Sequence, residues 1–240
     1  MLAIMLNNLG VALRRSGDLD DAETSHREAL AMNRRLFPPD HPRIASDMDN
    51  LGRVLLAAGD AAGAEGLHRE ALAMRTRLGG DEDPELAVSL LALAEARASQ
   101  GAQDEAEDLL RRALALRVAR FGEESLRTAE AAFELGVMLR RRGGHEEADT
   151  LLQGALEVRT TLLDEGHPYV AASLRELGAL RRDTGRYEEA ARLLEDAYSR
   201  VRDRLDPEDV DVLRVQQELQ RLEAAVRKAA GSEPAGPAPR

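Results

Sequence analysis

The sequence predicts an all-α solenoid, and three observations carry that expectation. The 240-residue chain repeats with a period of 42. Gly17, Gly59, Gly101, Gly143 and Gly185 keep that spacing, as do Ala22, Ala64, Ala106, Ala148 and Ala190, and Ala29, Ala71, Ala113, Ala155 and Ala197. Leu9, Leu51, Leu93, Leu135 and Leu177 form a fourth column, and Ala3, Ala45, Ala87, Ala129 and Ala171 a fifth. Self-similarity at this length marks a stack whose units bury a face only against their neighbours. Within one copy, Ala45, Met48, Leu51, Gly52 and Leu55 fall at helical spacing. The composition agrees: 43% hydrophobic, mostly Ala and Leu, with 2% aromatic and 32% charged residues, as expected of water-soluble amphipathic helices.

Each copy resolves into two helices. Proline opens helix A at Pro42, because its missing N–H is harmless in the first turn. Asp83-Pro84, His167-Pro168 and Asp206-Pro207 recur at the same register, and Ser125-Leu126 replaces the pair in the fourth copy. Helix A ends at the glycine column, where a left-handed residue is commonly needed. Helix B carries Ala64, His68, Ala71, Leu72 and Met74 inward. Its first turn is acidic in most copies (Asp20-Asp21, Asp104-Glu105, Glu146-Glu147, Glu188-Glu189), which complements the helix dipole. Alanine at the 22 and 29 columns lets neighbouring helices approach closely.

The repeats are expected to divide the chain into units at 1–40, 41–82, 83–124, 125–166 and 167–205. A last helix over 206–229 has Val212, Val215, Leu219, Leu222 and Val226 on one side, suited to capping an array. The Gly/Pro-rich end, 230–240, reads as a disordered tail. The first copy starts inside helix A, which predicts either a preceding domain or pairing of that helix with another chain.

A formal net charge of −11 argues against non-specific binding to nucleic acid or anionic lipid. The absence of cysteine excludes disulfides, thiolate metal sites and a Cys nucleophile, and fits a cytoplasmic location. No window is long and apolar enough to span a membrane. His26 and His68 occupy equivalent positions on successive B helices and read as core imidazoles. His41 and His167 lie three units apart, too far to share an ion, so no metal site is expected. The carboxylate runs Asp18–Asp21, Asp81–Glu85 and Glu146–Asp149 fall at loops and helix starts, where solvation and dipole effects explain them. No P-loop, dinucleotide turn, nucleophile elbow or zincin helix is present, so neither a cofactor nor catalysis is expected.

The pattern resembles the tetratricopeptide repeat in its 42-residue, kinesin-light-chain-like form. The matching residues are His41–Ala45 (His-Pro-x-x-Ala), Asn7-Asn8-Leu9-Gly10, Gly185–Ala190 and Arg27–Leu30, and the resemblance covers about residues 1–205. The aromatic that the family places before Glu-Ala survives only as Tyr187. Arg97 and Arg181 replace Leu13, Leu55 and Leu139, which predicts less apolar packing in copies three and five. The resemblance implies a right-handed superhelix of five helix pairs with a C-terminal capping helix. It also implies that helix A lines a concave face which holds a partner peptide or helix.

Carried over by register, that face includes Asn7, Asn8, Val11, Arg14, Asn50, Arg53, Leu91, Phe133, Val137, Arg140, Arg141, Arg175 and Arg182. Its charged residues are Arg14, Arg15, Arg53, Arg140, Arg141, Arg175 and Arg182 against Asp49, Glu95, Glu130 and Asp183, a net positive groove on an acidic protein. Arg forks suit an acidic or carboxylate-ending segment, and Asn amides suit its backbone. The same arginines also close helix A with favourable dipole contacts. Phe133, Val137, Val88 and Leu91 are expected either to supply an apolar anchor or to lie partly buried between repeat units. The reading is a non-catalytic scaffold for a protein or peptide, an acidic segment being one expectation, with no nucleic acid or membrane partner. Its rivals are a regulatory array on a kinase or nucleotide-driven switch, and a self-assembling module (a homodimer) joined through Ile4, Met5 and the first helix.

Overall fold

The structure is a computed structural model that describes residues 1–202 and 204–231. Every regular element among the described residues is an α-helix. The chain divides into two compact units, Met1–Gly122 and Glu123–Arg240.

Unit 1 holds three helix pairs: α1 (Leu2–Ser16) with α2 (Leu19–Leu36), α3 (Pro42–Ala57) with α4 (Ala61–Gly79), and α5 (Leu86–Ser99) with α6 (Gln103–Phe121). Each helix packs on the next in sequence, and α1, α3 and α5 also pack side by side. Unit 2 repeats the plan with α7 (Leu126–Arg142), α8 (His145–Leu162), α9 (Pro168–Asp183), α10 (Tyr187–Arg202) and α11 (Val210–Gly231). There α7 lies beside α9, and α9 beside α11. Odd-numbered helices are therefore A-type and even-numbered helices to α10 are B-type.

The turns follow the sequence logic. Every glycine of the 42-residue column has positive φ, from 75° at Gly185 to 92° at Gly59, a region that admits glycine without strain. His41 and His167 cap α3 and α9: each Nδ1 accepts from the backbone N–H two residues on, and proline follows at the first position. Ser125 Oγ does the same for α7 by accepting from Thr128 N–H at 3.1 Å. The Asp-Pro pairs behave differently. Leu86 N–H reaches Asp83 O and Ala87 N–H reaches Pro84 O, so the chain makes a tight i→i+3 turn before α5 begins at Leu86. Asp206 closes a similar turn with Asp209 N–H, and α11 starts at Val210 instead of Pro207. That helix ends at Gly231. Ala230 and Gly231, placed in the tail by the sequence reading, belong to it, and residues 232–240 lie outside the described residues.

Small residues set the distance between helices. The alanines at the 22 and 29 columns are no more than 1% exposed in any copy. A Cβ on Gly10, Gly52, Gly136 or Gly178 would meet His26, His68, Leu152 or Leu194, respectively, at 2.6–2.8 Å. Helix A thus lies directly on one large side chain of its own helix B. Core side chains then bridge successive pairs. In unit 1, Leu30, Ile44, Met48, Leu51 and Met74 form one cluster; in unit 2, Val170, Leu174, Val201, Val212 and Val215 form another. Leu9 is the exception in its column, being 50% exposed where Leu51, Leu93, Leu135 and Leu177 are at most 5%.

In copies three and five, ion pairs stand where other copies have a leucine. Arg97 pairs with Glu65 and Glu105, and Arg181 with Asp149 and Glu189. The two pairs of acids are themselves 84 residues apart, so the substitution and its counter-charges recur together.

Candidate functional site

The A-type helices carry the positions expected to meet a partner, and the two units treat them differently. In unit 1, Asn8 and Val11 on α1 are exposed, and Asn7, Arg14, Asn50 and Arg53 are half-buried on α1 and α3. Asn7 is already committed: its Nδ2 donates to Asp47 Oδ1 at 2.6 Å, and its Oδ1 accepts from His26 Nδ1 at 2.9 Å. Among the described residues, Asn8, Arg14, Asn50 and Arg53 have no side-chain hydrogen bond and no carboxylate within 4.0 Å. Burial lowers the Arg14 pKa, and the neighbouring charges of Arg53 and Arg15 lower it further against the opposing field of Glu95. Two guanidinium groups therefore face one another's field on this surface with no carboxylate in contact.

Beneath this surface unit 1 holds two polar knots that the sequence reading did not anticipate. In the first, Asp47 of α3 accepts from Asn7 of α1 and from Asn33 Nδ2 of α2, the latter at 2.6 Å. Burial raises the Asp47 pKa, opposed by these two amides and the field of Arg43. In the second, Asp49 of α3 accepts from His68 Nδ1 of α4 at 3.0 Å, from Ser89 Oγ of α5 at 2.9 Å, and from Arg75 Nη1 of α4. Arg75 also reaches Ser89 Oγ and Ser46 Oγ. Asp49 was counted as a groove acid. It is 1% exposed, because Arg75 comes up from helix B and neutralises it below the surface.

Unit 2 presents Arg140, Arg175 and Arg182 already paired. Arg140 on α7 donates to Glu176 at 3.0 Å and to Asp183 at 2.5 Å, both on α9. Arg175 adds a second contact to Glu176 at 2.9 Å. Arg182 donates to Asp183 at 2.7 Å and to Glu218 on α11. Arg221 completes the chain on Glu218. Burial pulls the Asp183 carboxyl upward, but the hydrogen bonds from Arg182 and Arg140 outweigh it and hold the group below its ordinary pKa. The positive groove inferred by counting residues therefore does not extend to these positions, whose charges cancel locally. Arg141 stays exposed, with no carboxylate in contact.

Of the two expectations for the apolar residues, burial holds for Leu91, Phe133 and Val137. Leu91, Phe133 and Val137 are 8–9% exposed, and the Arg159 guanidinium covers the Phe133 ring at 4.3 Å. Arg75, Arg117 and Arg159 are 42 residues apart and buried, a column the sequence analysis passed over. Burial lowers the Arg159 pKa against the fields of Glu134, Glu130 and Tyr169, and Arg159 Nη1 donates to Tyr169 O and Ser173 Oγ. A second signal was also present in the sequence. Arg34–Glu70, Arg69–Glu105, Arg140–Glu176 and Arg182–Glu218 are all ion pairs at a separation of 36 residues, each joining neighbouring copies within a unit.

Asp49, His68 and Ser89 are residue types that could form a hydrolytic triad, but their connectivity is wrong for one. Ser89 hydrogen-bonds the carboxylate instead of the imidazole, His68 Nε2 has no partner, and all three are buried. Among the described residues no cluster of three or more metal-ligating side chains is present, and no helix is long and apolar enough to cross a membrane.

Comparison with known proteins places this architecture. The family model for the tetratricopeptide repeat matches residues 1–77, 49–117 and 124–203. No curated protein matches the chain. Among solved structures, BtubC (BKLC) from P. vanneervenii is 23% identical with a TM-score of 0.68, over 92% of this chain and 96% of that one. The kinesin light chain nearly identical TPR-like repeats of Podosopora anserina are 23% identical with a TM-score of 0.62, over 82% and 93% of the two chains. A thermophilic TPR protein of Thermus thermophilus is also 23% identical, with a TM-score of 0.62 over 91% and 99%. At this identity the likeness concerns the fold, and it coincides with the stacked helix pairs and with the repeat match along both units. The chain belongs to the tetratricopeptide-repeat family.

Proposed function

We propose that the chain is a non-catalytic protein-interaction module that takes a partner segment along its A-type helices, with its acid-reading positions on unit 1. The observation that carries this reading is the contrast in charge pairing. Arg14 and Arg53 are half-buried with no carboxylate in contact, whereas Arg140, Arg175 and Arg182 are each paired with carboxylates of their own unit. A partner carboxylate meeting Arg14 and Arg53 would replace water with a charge-assisted fork and relieve their mutual repulsion. Asn8 and Asn50 offer free amides for an extended backbone. Polar groups suited to chemistry, Asp49 and His68 above all, are consumed in the interior, which supports a binding role over catalysis.

Selection from a random peptide library tests the reading. Wild-type protein is expected to enrich acidic peptides, Arg14→Glu/Arg53→Glu to lose them, and Arg140→Glu to retain them, with circular dichroism verifying the fold of each. Enrichment without acidic residues, or enrichment unchanged in the double variant, overturns it.

One further observation favours a second reading, self-assembly through α1. Leu2, Ile4, Met5 and Leu9 are 48–61% exposed on one short helix, an apolar surface of the kind that marks interaction sites. Light scattering across a concentration range checks this: a dimer supports it and a monomer at all concentrations dismisses it.

A further inference from the structure

His26 and His68 occupy the same repeat position, lie on equivalent glycines, and differ in what faces them. Each ring is pressed on helix A at Gly10 or Gly52, and each Nε2 is buried without a hydrogen-bond partner. Asn7 Nδ2 is engaged with Asp47, so Asn7 Oδ1 must accept, and His26 Nδ1 must carry the proton that it donates. His26 Nε2 is then a bare lone pair in an apolar contact, the neutral tautomer. Protonating it would add an N–H with nowhere to go and a charge beside a glycine backbone, both costly when buried. His68 has the carboxylate of Asp49 at 3.0 Å to oppose such a charge, whereas His26 has only the neutral amide of Asn7. In unit 2 the same place is filled by Leu152 against Gly136 and Leu194 against Gly178, side chains that do not titrate.

We propose that the α1–α2 pair is an acid-sensitive joint. An imidazolium at His26 drives α1 off α2 and frees Asn7 from Asp47, while the leucine-filled pairs α7–α8 and α9–α10 stay closed. The elements packed on α2 are α1 and α3. From α1 the facing groups are Asn7, Gly10 and Arg14, whose charge opposes a second cation; from α3 the facing group is Asp47, reached through Asn7 and Asn33. Burial and, secondarily, Arg14 lower the His26 pKa. The unfolded segment therefore binds the proton more readily, and the joint's stability, full above the ordinary histidine range, falls as the pH drops below about 6.5. Asp47 works in the opposite sense: its raised pKa makes the folded carboxyl the better proton acceptor, so acid relieves its burial. The joint stands on packing alone and does not depend on the acidic-partner reading.

Hydrogen exchange read by mass spectrometry on the whole chain, at pH 7.5 and 5.5 and corrected for intrinsic rates, tests the proposal. Amide protection across α1 and α2 is expected to fall by up to about tenfold per pH unit as the pH drops from the ordinary histidine pKa towards the lowered one, with α7–α10 unchanged. His26→Leu, which installs the residue used in copies three to five, is expected to abolish the acid response. Should that variant fail to fold, the ring-nitrogen NMR shifts of His26 in the wild type decide: a proton on Nδ1 at pH 7.5 and a midpoint below about 6.5 support the joint. Equal acid loss in both units, a response that survives His26→Leu, or a midpoint at or above the ordinary value overturns it.

Discussion

Unit 1 ties its A helices together below the surface, through Asp47 between α1, α2 and α3 and through Asp49 between α3, α4 and α5. Unit 2 ties its own at the surface, with Arg140, Glu176, Asp183, Arg182 and Glu218 running from α7 across α9 to α11. The backbone plan is the same, so the difference lies in where each unit spends its charges. Above the interior knots Arg14 and Arg53 have no carboxylate in contact, whereas the surface chain engages Arg140, Arg175 and Arg182 and leaves only Arg141 of the expected unit 2 cations outside it. A repeat array can thus hold one fold while pairing its A-helix arginines in one part and leaving them unpaired in another.

The most damaging change should be Asp49→Ala. It strands the Arg75 guanidinium and removes the acceptor of His68, and breaking a buried pair by deleting one partner costs about 3–5 kcal/mol. Urea unfolding should show that loss, with exchange protection falling across α3, α4 and α5. A cost below about 1 kcal/mol would mean that Arg75 finds another counter-charge and that the knot is not what joins these helices. Next comes Gly52→Ala, whose Cβ would meet the His68 ring at 2.6 Å. Overpacking of this kind costs about 1–3 kcal/mol, and His68→Ala combined with it should recover part of the loss in thermal melts.

Salt sharpens the contrast between the units. Glu176 and Glu218 are at most 10% exposed but Asp183 is 26%, so the unit 2 chain should weaken by up to about 1 kcal/mol between 0.05 and 1 M NaCl. Exchange protection in α9 should drop with salt while that in α3 holds, and Glu176→Gln should flatten the dependence. Acid gives the smallest effect. Asp183 has a depressed pKa, so its contribution is present above the ordinary carboxylate range and is lost as pH falls through and below it. Asp183→Asn should therefore unfold with a shallower pH dependence below about pH 4 than the parent, as followed by circular dichroism.

Much of the fold was legible in the chain. Glycine and alanine columns announce where helices turn and touch, since only small residues permit a left-handed turn or a close approach. The His-Pro starts and the core imidazoles were readable for the same local reasons. The candidate site was less legible. Counting Arg140, Arg175 and Arg182 as free cations failed, because their partners are Glu176, Asp183 and Glu218, on the same or the next A helix. Asp49 failed as a groove acid because Arg75, 26 residues later on another helix, lies against it.

By itself the sequence determined the period, the two-helix unit and the positions of its turns, because these follow from the size and backbone freedom of single residues at fixed spacing. Only the tertiary structure decided which charges are spent. Pairing depends on distances of a few ångströms between side chains from different helices, and a linear count cannot supply them. The arginine–glutamate separation of 36 residues and the arginines of helix B were visible from the start, but they acquire meaning only once neighbouring helices are in place.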